Sequence, residues 1–207
     1  MEKPTKVVEN AQADQLYGSI LADPPWRFMN RTGKSAPEHR RLHRYETMTT
    51  DEIARRAVGR LAASQSHLYL WVPMALIEDG LRVMRAWGFT YKTSVLWLKT
   101  RKDGEPDLRC MGFYFRVVTE VLLFGVRGGL RTGAPARRLP NLIRATKREH
   151  SRKPDEAYDL IELVSPGPYV ELFARPPHRI GWDTWGDQSD VQAVHLFNHD
   201  GPLEKVG

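Results

Sequence analysis

Ser19-Ile20-Leu21-Ala22-Asp23-Pro24-Pro25-Trp26 is the stretch that decides how this 207-residue chain is read. A small and apolar run ends abruptly in an acid, two prolines and a tryptophan. The run suits a short buried strand, because its length and bounding breakers fit one. The prolines stop it, since neither has an N–H to give to a ladder and each fixes its own φ. Asp23 is therefore expected at the carboxyl end of a strand, the edge where open α/β sheets bind ligands. An acid beside the carbonyl of Pro24, on backbone held by Pro25, can accept both hydrogens of an amine. The ring of Trp26 can stack on a planar base. The set suits the exocyclic amine of a nucleobase taken out of its stack. It also suits a plain strand-end turn, with the Asp capping its own backbone and the Trp buried.

Outward from this point the pattern alternates. Thr49, Thr50 and Asp51 are helix-start residues, and Ile53, Ala57 and Leu61 continue on one face, which predicts a helix to about Ala63. Strands are expected over 66–72, 89–99, 119–126, 141–145 and 169–173, with a last short one over 181–185. A second helix is expected from Pro73 to Gly88, and a third beyond Ser151, which is read as its N-cap. Strands alternating with helices argue an α/β fold with a mostly parallel sheet. The domain is expected over 17–190, with a flexible arm at 1–16 and a tail at 191–207.

Charge and composition bound the function. The chain is 41% apolar and 27% charged, as expected of a soluble globular protein with one core. Cys110, the sole cysteine, excludes an internal disulfide. Without a signal-like or membrane-spanning segment, the expectation is a cytoplasmic protein with no membrane partner. The net charge of +6 fits a polyanionic partner. The long segment 27–45 leaves the acidic turn directly and carries Arg27, Arg31, Lys34, Arg40, Arg41 and Arg44, which reads as a lid contacting nucleic-acid phosphates. Arg116 is a further candidate there. His39 and His43 have helical spacing, but no cysteine or carboxylate completes a metal set, so no metal is expected. A second long loop, 128–140, holds Arg131, Arg137 and Arg138.

Asp23-Pro24-Pro25-Trp26 has the form of the amino-methyltransferase signature, and other runs follow it. They are Leu70-Trp71-Val72, Ala86-Trp87-Gly88-Phe89, Trp97-Leu98-Lys99, 150–156, Glu171-Leu172-Phe173-Ala174-Arg175 and Trp182 to Gly186. In this order they resemble the MT-A70 family of N6-adenine methyltransferases, from about Tyr17 to Gln188. The resemblance implies a Rossmann-like methyltransferase fold with helices on both sheet faces and permuted motifs, the catalytic strand early and the donor-binding strand late. It implies S-adenosylmethionine as cofactor, with S-adenosylhomocysteine as product.

No Gly-x-Gly-x-x-Gly follows the first strand, so the donor must be bound elsewhere. Lys153 at a helix start supplies a cation for the donor's carboxylate, with Ala22 and Asp23 on the ammonium side. Glu171 late in its strand can accept from hydroxyls, and Phe173 can pack near a ring. By resemblance, Arg175 and His178 reach the ribose, and Asp187 and Gln188 lie near ribose and adenine. Trp182 and Trp185 read as core. Asp23, Pro24, Pro25 and Trp26 form the catalytic set. The leading reading is an enzyme methylating adenine N6 in DNA. The alternatives are an RNA substrate, and a catalytically inactive nucleic-acid-binding subunit of the same fold. Either a monomer or a homodimer is compatible with the chain.

Overall fold

The computed structural model describes residues 16–27, 47–110, 112, 114–148, 152–176 and 178–186. The expected arm and tail, and Arg31, Lys34, Arg40, Arg41, Arg44, Asp187 and Gln188, lie outside the described residues. Among the described residues the strands are β1 (Tyr17–Ala22), β2 (Ala62–Val72), β3 (Thr90–Thr100), β4 (Thr119–Arg127), β5 (Leu142–Thr146), β6 (Tyr169–Leu172) and β7 (Trp182–Trp185). The α-helices are α1 (Thr50–Ala54), α2 (Ile77–Ala86) and α3 (Asp155–Val164).

The strands form one sheet in the order β5-β3-β4-β2-β1-β6-β7. β4 pairs antiparallel with both β2 and β3, and every other neighbouring pair is parallel. The single reversed strand matters for the site. Its first residues share an edge with the last residues of the strands around it.

Period-2 alternation splits the core between the two faces. Ile20, Ala22, Leu68, Leu70 and Val72 join Ile53, Val83 and Met84 on the face covered by α1 and α2. Leu21, Tyr69, Trp71, Val95, Trp97 and Leu122 join Ala157 and Ile161 on the face covered by α3. Helices thus cover both faces, and the Rossmann-like α/β expectation holds. α2 packs close because Gly80 has no side chain: a Cβ there would stand 2.6 Å from Val72 Cγ2. Gly88, at φ 83, ends the turn after α2, a conformation that favours glycine. No helix among the described residues is long and apolar enough to cross a membrane.

Two helix expectations change. The helix begun at Thr49 has the full capping box with Glu52 but stops at Ala54, and a 3₁₀ turn over Val58–Arg60 leads into β2. The reason is pairing. Leu61 O accepts from Tyr17 N–H and Ala62 pairs with Tyr17, so the chain must already be extended where the helical period would continue. Ile53, Val58 and Leu61 are still buried together. The third helix starts at Asp155, with Pro154 as its cap, and Ser151 lies outside the described residues. A residue before proline is driven out of the α region, which keeps Lys153 off the helix. The 128–140 loop contains a 3₁₀ turn over Ala134–Arg138.

Candidate active site

Alternation fixes which side chains meet at the carboxyl edge. Asp23 follows Leu21 by two residues, Glu120 precedes Leu122 by two, and Lys99 follows Trp97 by two. Leu21, Leu122 and Trp97 all lie on the α3 face, so these three charged residues point to that face. Glu171 pairs in register with Leu21, and Lys153 enters from the approach to α3. Five segments from across the chain therefore deliver charge to one place.

Lys153 is the hub. Its Nζ lies 2.9 Å from Asp23 Oδ2 and 3.3 Å from Glu120 Oε2, and its side chain is 16% exposed. It also stands over the Trp71 ring, 5.5 Å from the centroid. Lys99 Nζ closes the network at 2.6 Å from Glu120 Oε1. Burial would strip the charge from each member, and what results depends on its neighbours. Burial raises the Asp23 carboxyl above its ordinary range even though Lys153 opposes it. Burial also acts on Glu120, but Lys153 and Lys99 outweigh it and hold Glu120 low. The Lys153 ammonium loses hydration, yet Asp23 and Glu120 more than compensate and raise it, so it stays charged. Burial pushes Glu171 up to about 7, opposed by its hydrogen bond with Tyr158 and reinforced by Asp23. Tyr158 is itself raised by burial and by Glu171.

Two buried side-chain atoms have no partner among the described residues: Glu171 Oε2 and Trp71 Nε1. Both belong to strands flanking β1, on the α3 face. An orphaned buried polar atom costs about 1–3 kcal/mol, so this edge is built at the expense of stability. Buried ion pairs are likewise weak stabilisers. Strongly shifted acids gathered in one place mark a functional site.

The acidic turn is arranged differently from its sequence expectation in three respects. Trp26 is 6% exposed, packs in the α1/α2 core, and donates its indole N–H to Trp71 O at 2.9 Å. Its ring is thus unavailable for stacking on a base, and it pins the turn to β2. The Pro24 carbonyl already accepts from Trp26 N–H at 2.8 Å, and the Pro25 carbonyl from Met48 N–H at 2.8 Å. The Pro24 oxygen retains its second lone pair. Ala22 is fully buried in the α1/α2 core and gives the cleft no side chain.

The remaining expected residues are spread out. Arg175 is half-buried and close enough to contribute to the charge balance of Asp23. Phe173 sits at φ 62, rare for a non-glycine residue, and packs partly on the α1/α2 core. His178 and Arg116 are exposed. Arg27 is exposed and donates to Thr47 Oγ1 and Thr47 O. Trp182 and Trp185 are buried, as read from the sequence.

Glu120 and Tyr158 are site members outside the candidate residues of the sequence, and Trp71 and Lys99 are members that stand in its matching runs without a role. Glu120 had a visible signal. It is an acid in the second position of Thr119–Arg127, directly before the apolar run from Val121 to Val126, on the same alternating face as Leu122. The signal becomes readable only once β4 is known to run against its neighbours.

The MT-A70 family model matches residues 17–188. The N(6)-adenosine-methyltransferase catalytic subunit METTL3 of Homo sapiens is 32% identical over 192 residues, covering 89% of this chain and 30% of that protein. A putative N(6)-adenosine-methyltransferase MT-A70-like protein of Medicago truncatula is 33% identical over 196 residues, covering 90% of this chain and 29% of that one. The type II methyltransferase M.MunI of Mycoplasma sp is 29% identical over 185 residues, covering 82% of this chain and 76% of its own length. The chain thus spans under a third of the length of these two adenosine methyltransferases and about three quarters of M.MunI.

Proposed function

The chain belongs to the MT-A70 family, and we propose that it transfers a methyl group from S-adenosylmethionine to N6 of adenine in DNA. The observation that carries this reading is the junction of the early acidic turn with the late lysine, Asp23 to Lys153 at 2.9 Å, beside the orphaned carboxylate oxygen of Glu171. DNA is favoured over RNA because the match to the type II methyltransferase M.MunI runs through 76% of that enzyme, against 30% of METTL3.

The residues present fit the donor. Glu171 Oε2 is a buried acceptor with no donor among the described residues, which suits a ribose hydroxyl. Arg175 and Phe173 follow it along the chain. When bound, S-adenosylmethionine supplies an electrophilic sulfonium methyl, so no metal or covalent intermediate is required. The Asp23 carboxylate and the free lone pair of the Pro24 carbonyl accept the two N–H bonds of the adenine amine. This holds N6 in one orientation and draws electron density towards it. Fixing the amine in this way converts a bimolecular encounter into an effectively unimolecular step, a gain of about 7–11 kcal/mol at most.

Lys153 acts on the positioning groups. Its ammonium is already held by Asp23 and Glu120, so its part is to orient both carboxylates. That replaces the expected contact with the donor's own carboxylate. Asp23 need not be a strong base, because the proton can leave after methyl transfer. The test is incubation with labelled donor and a mixture of DNA and RNA, followed by nucleoside mass spectrometry. N6-methyladenine in the DNA fraction is expected. Methylation confined to RNA would overturn the choice of polymer, and none in either would overturn the enzyme reading.

A further inference from the structure

The alternating residues of β4 lead away from the transfer site. Glu120 stands in the charged group, whereas Phe124 and Val126, on the same face, line a separate cavity of about 820 Å³. Along an extended strand Phe124 stands roughly 13 Å and Val126 roughly 20 Å from Glu120. The cavity lies where α3 finishes, and Gly133 N–H there donates to the Val164 carbonyl at 2.8 Å.

Its walls are of two kinds. Phe124, Val126 and Leu130 are apolar; Lys92, Arg131 and Arg137 are cationic and exposed, and no acidic residue lines the cavity. Among the described residues these three cations have neither an ion pair nor a side-chain hydrogen bond. By contrast, Lys99, Lys153, Arg109 and Arg179 each pair with a carboxylate.

The frame under the cations is anchored. Lys92 sits where the β3–β4 register shifts. Gly128 is at φ 69, with Ser64 O 2.6 Å from the place of a Cβ. The Leu130 carbonyl is 3.4 Å from Nε2 of the buried His67, whose Nδ1 is 2.7 Å from Ser165 Oγ. The consistent assignment has Nε2–H donating to Leu130 O and the Ser165 hydroxyl donating to Nδ1. The loop is thus tied into the core through a neutral histidine, which burial keeps below its ordinary range.

Unopposed, exposed cations around one cavity fit a polyanion, and the half-buried Leu130 is the apolar contact on offer, because Phe124 and Val126 are packed into the core. We propose that this cavity is a second nucleic-acid site, which holds the phosphates of the substrate strand about four to six nucleotides from the reacting base, at 3.4 Å each. It rests on the reading that the substrate is a nucleic acid.

The test is oligonucleotide binding by fluorescence anisotropy at several salt concentrations, with a 20-mer and a 4-mer each carrying one adenine. The variant combines Lys92→Ala, Arg131→Ala and Arg137→Ala. A charge-matched control combines Arg55→Ala, Arg60→Ala and Arg85→Ala, exposed residues of the α1/α2 side. The cavity variant should bind the 20-mer at least about tenfold more weakly, with a log–log salt slope shallower by about 2–3. Its 4-mer affinity and thermal midpoint should match the wild type, and the control should change the 20-mer slope less. Equal weakening of both oligonucleotides, an unchanged 20-mer slope, or an equal effect in the control would overturn the proposal. Because the readout is binding, a wild type that binds in this way yet transfers no methyl group would sink the activity and leave this site standing.

Discussion

Two clusters in this molecule share a motif, one cation between two carboxylates, to which the first adds Lys99 on Glu120. Lys153 joins Asp23 and Glu120 at the sheet's carboxyl edge. Arg179 joins Asp159 and Glu162, tying the approach to β7 onto α3. In the second cluster the acids are 60% and 31% exposed, and the Arg179 hydrogen bond holds Glu162 below its ordinary range. In the first, burial overrides the cation and Asp23 is raised. The pairing geometry is similar, and the acids of the first cluster are the less exposed, at 27% and 26%. The difference teaches that how deeply one acid is buried, rather than ion pairing as such, sets Asp23 apart from the carboxylates of a brace.

The comparison is broken most severely by Asp23→Asn. Asparagine keeps the shape but loses one acceptor for the amine and the charge facing Lys153. Methyl transfer should fall by about 100-fold or more, the scale of losing one preorganised polar contact to reacting atoms. Circular dichroism should be unchanged. Transfer within a few-fold of wild type would remove Asp23 from the mechanism.

Trp26→Ala probes the opposite side of the same turn. It should lower stability by about 3–5 kcal/mol, the usual cost of deleting a large buried ring. The measurement is denaturant unfolding. A stable variant that loses only activity would restore the stacking role that its burial denies.

Glu171→Gln sharpens the role of burial. Because burial raises Glu171 to about 7 from an ordinary 4.5, the folded state binds its proton more tightly than the unfolded chain does. Folding stability should therefore fall as pH rises from about 4.5 to 7, by about 3 kcal/mol from this group. The variant should flatten that slope in unfolding midpoints taken across the window. An unchanged slope would mean that Glu171 is hydrated. Arg179→Ala is the smallest change: about 1 kcal/mol or less of stability, since exposed pairs contribute little, with transfer intact by the labelled-donor assay. A large loss of transfer there would erase the distinction between the two clusters.

Much of this was legible in the chain, for local reasons. The double proline had to end β1 at the catalytic corner, and β-branched and aromatic runs marked the other strands. Asp23, Lys153 and Glu171 were named together from motifs, and they converge at one edge. What was not legible depends on long-range placement. Trp26 reads as a stacking ring until the α1/α2 core closes over it. Glu120 reads as a stray acid until the direction of β4 is known. Thr49 promises a longer helix than the pairing of Tyr17 with Ala62 leaves room for.

The reversal of β4 has one more consequence. Because β3 ends and β4 begins at the same edge, the connection between Thr100 and Thr119 starts and finishes at the edge that carries Asp23. The part up to Asp107 folds back on β3, with Pro106 bridging Thr100 and the buried Asp107 donating its N–H to Lys99 O at 2.8 Å, so changes of length that spare these residues leave the sheet's partners in place. The architecture thus separates scaffold from specificity: lengthening a single hairpin is enough to present a new surface to the polymer, while the groups around Lys153 keep their positions.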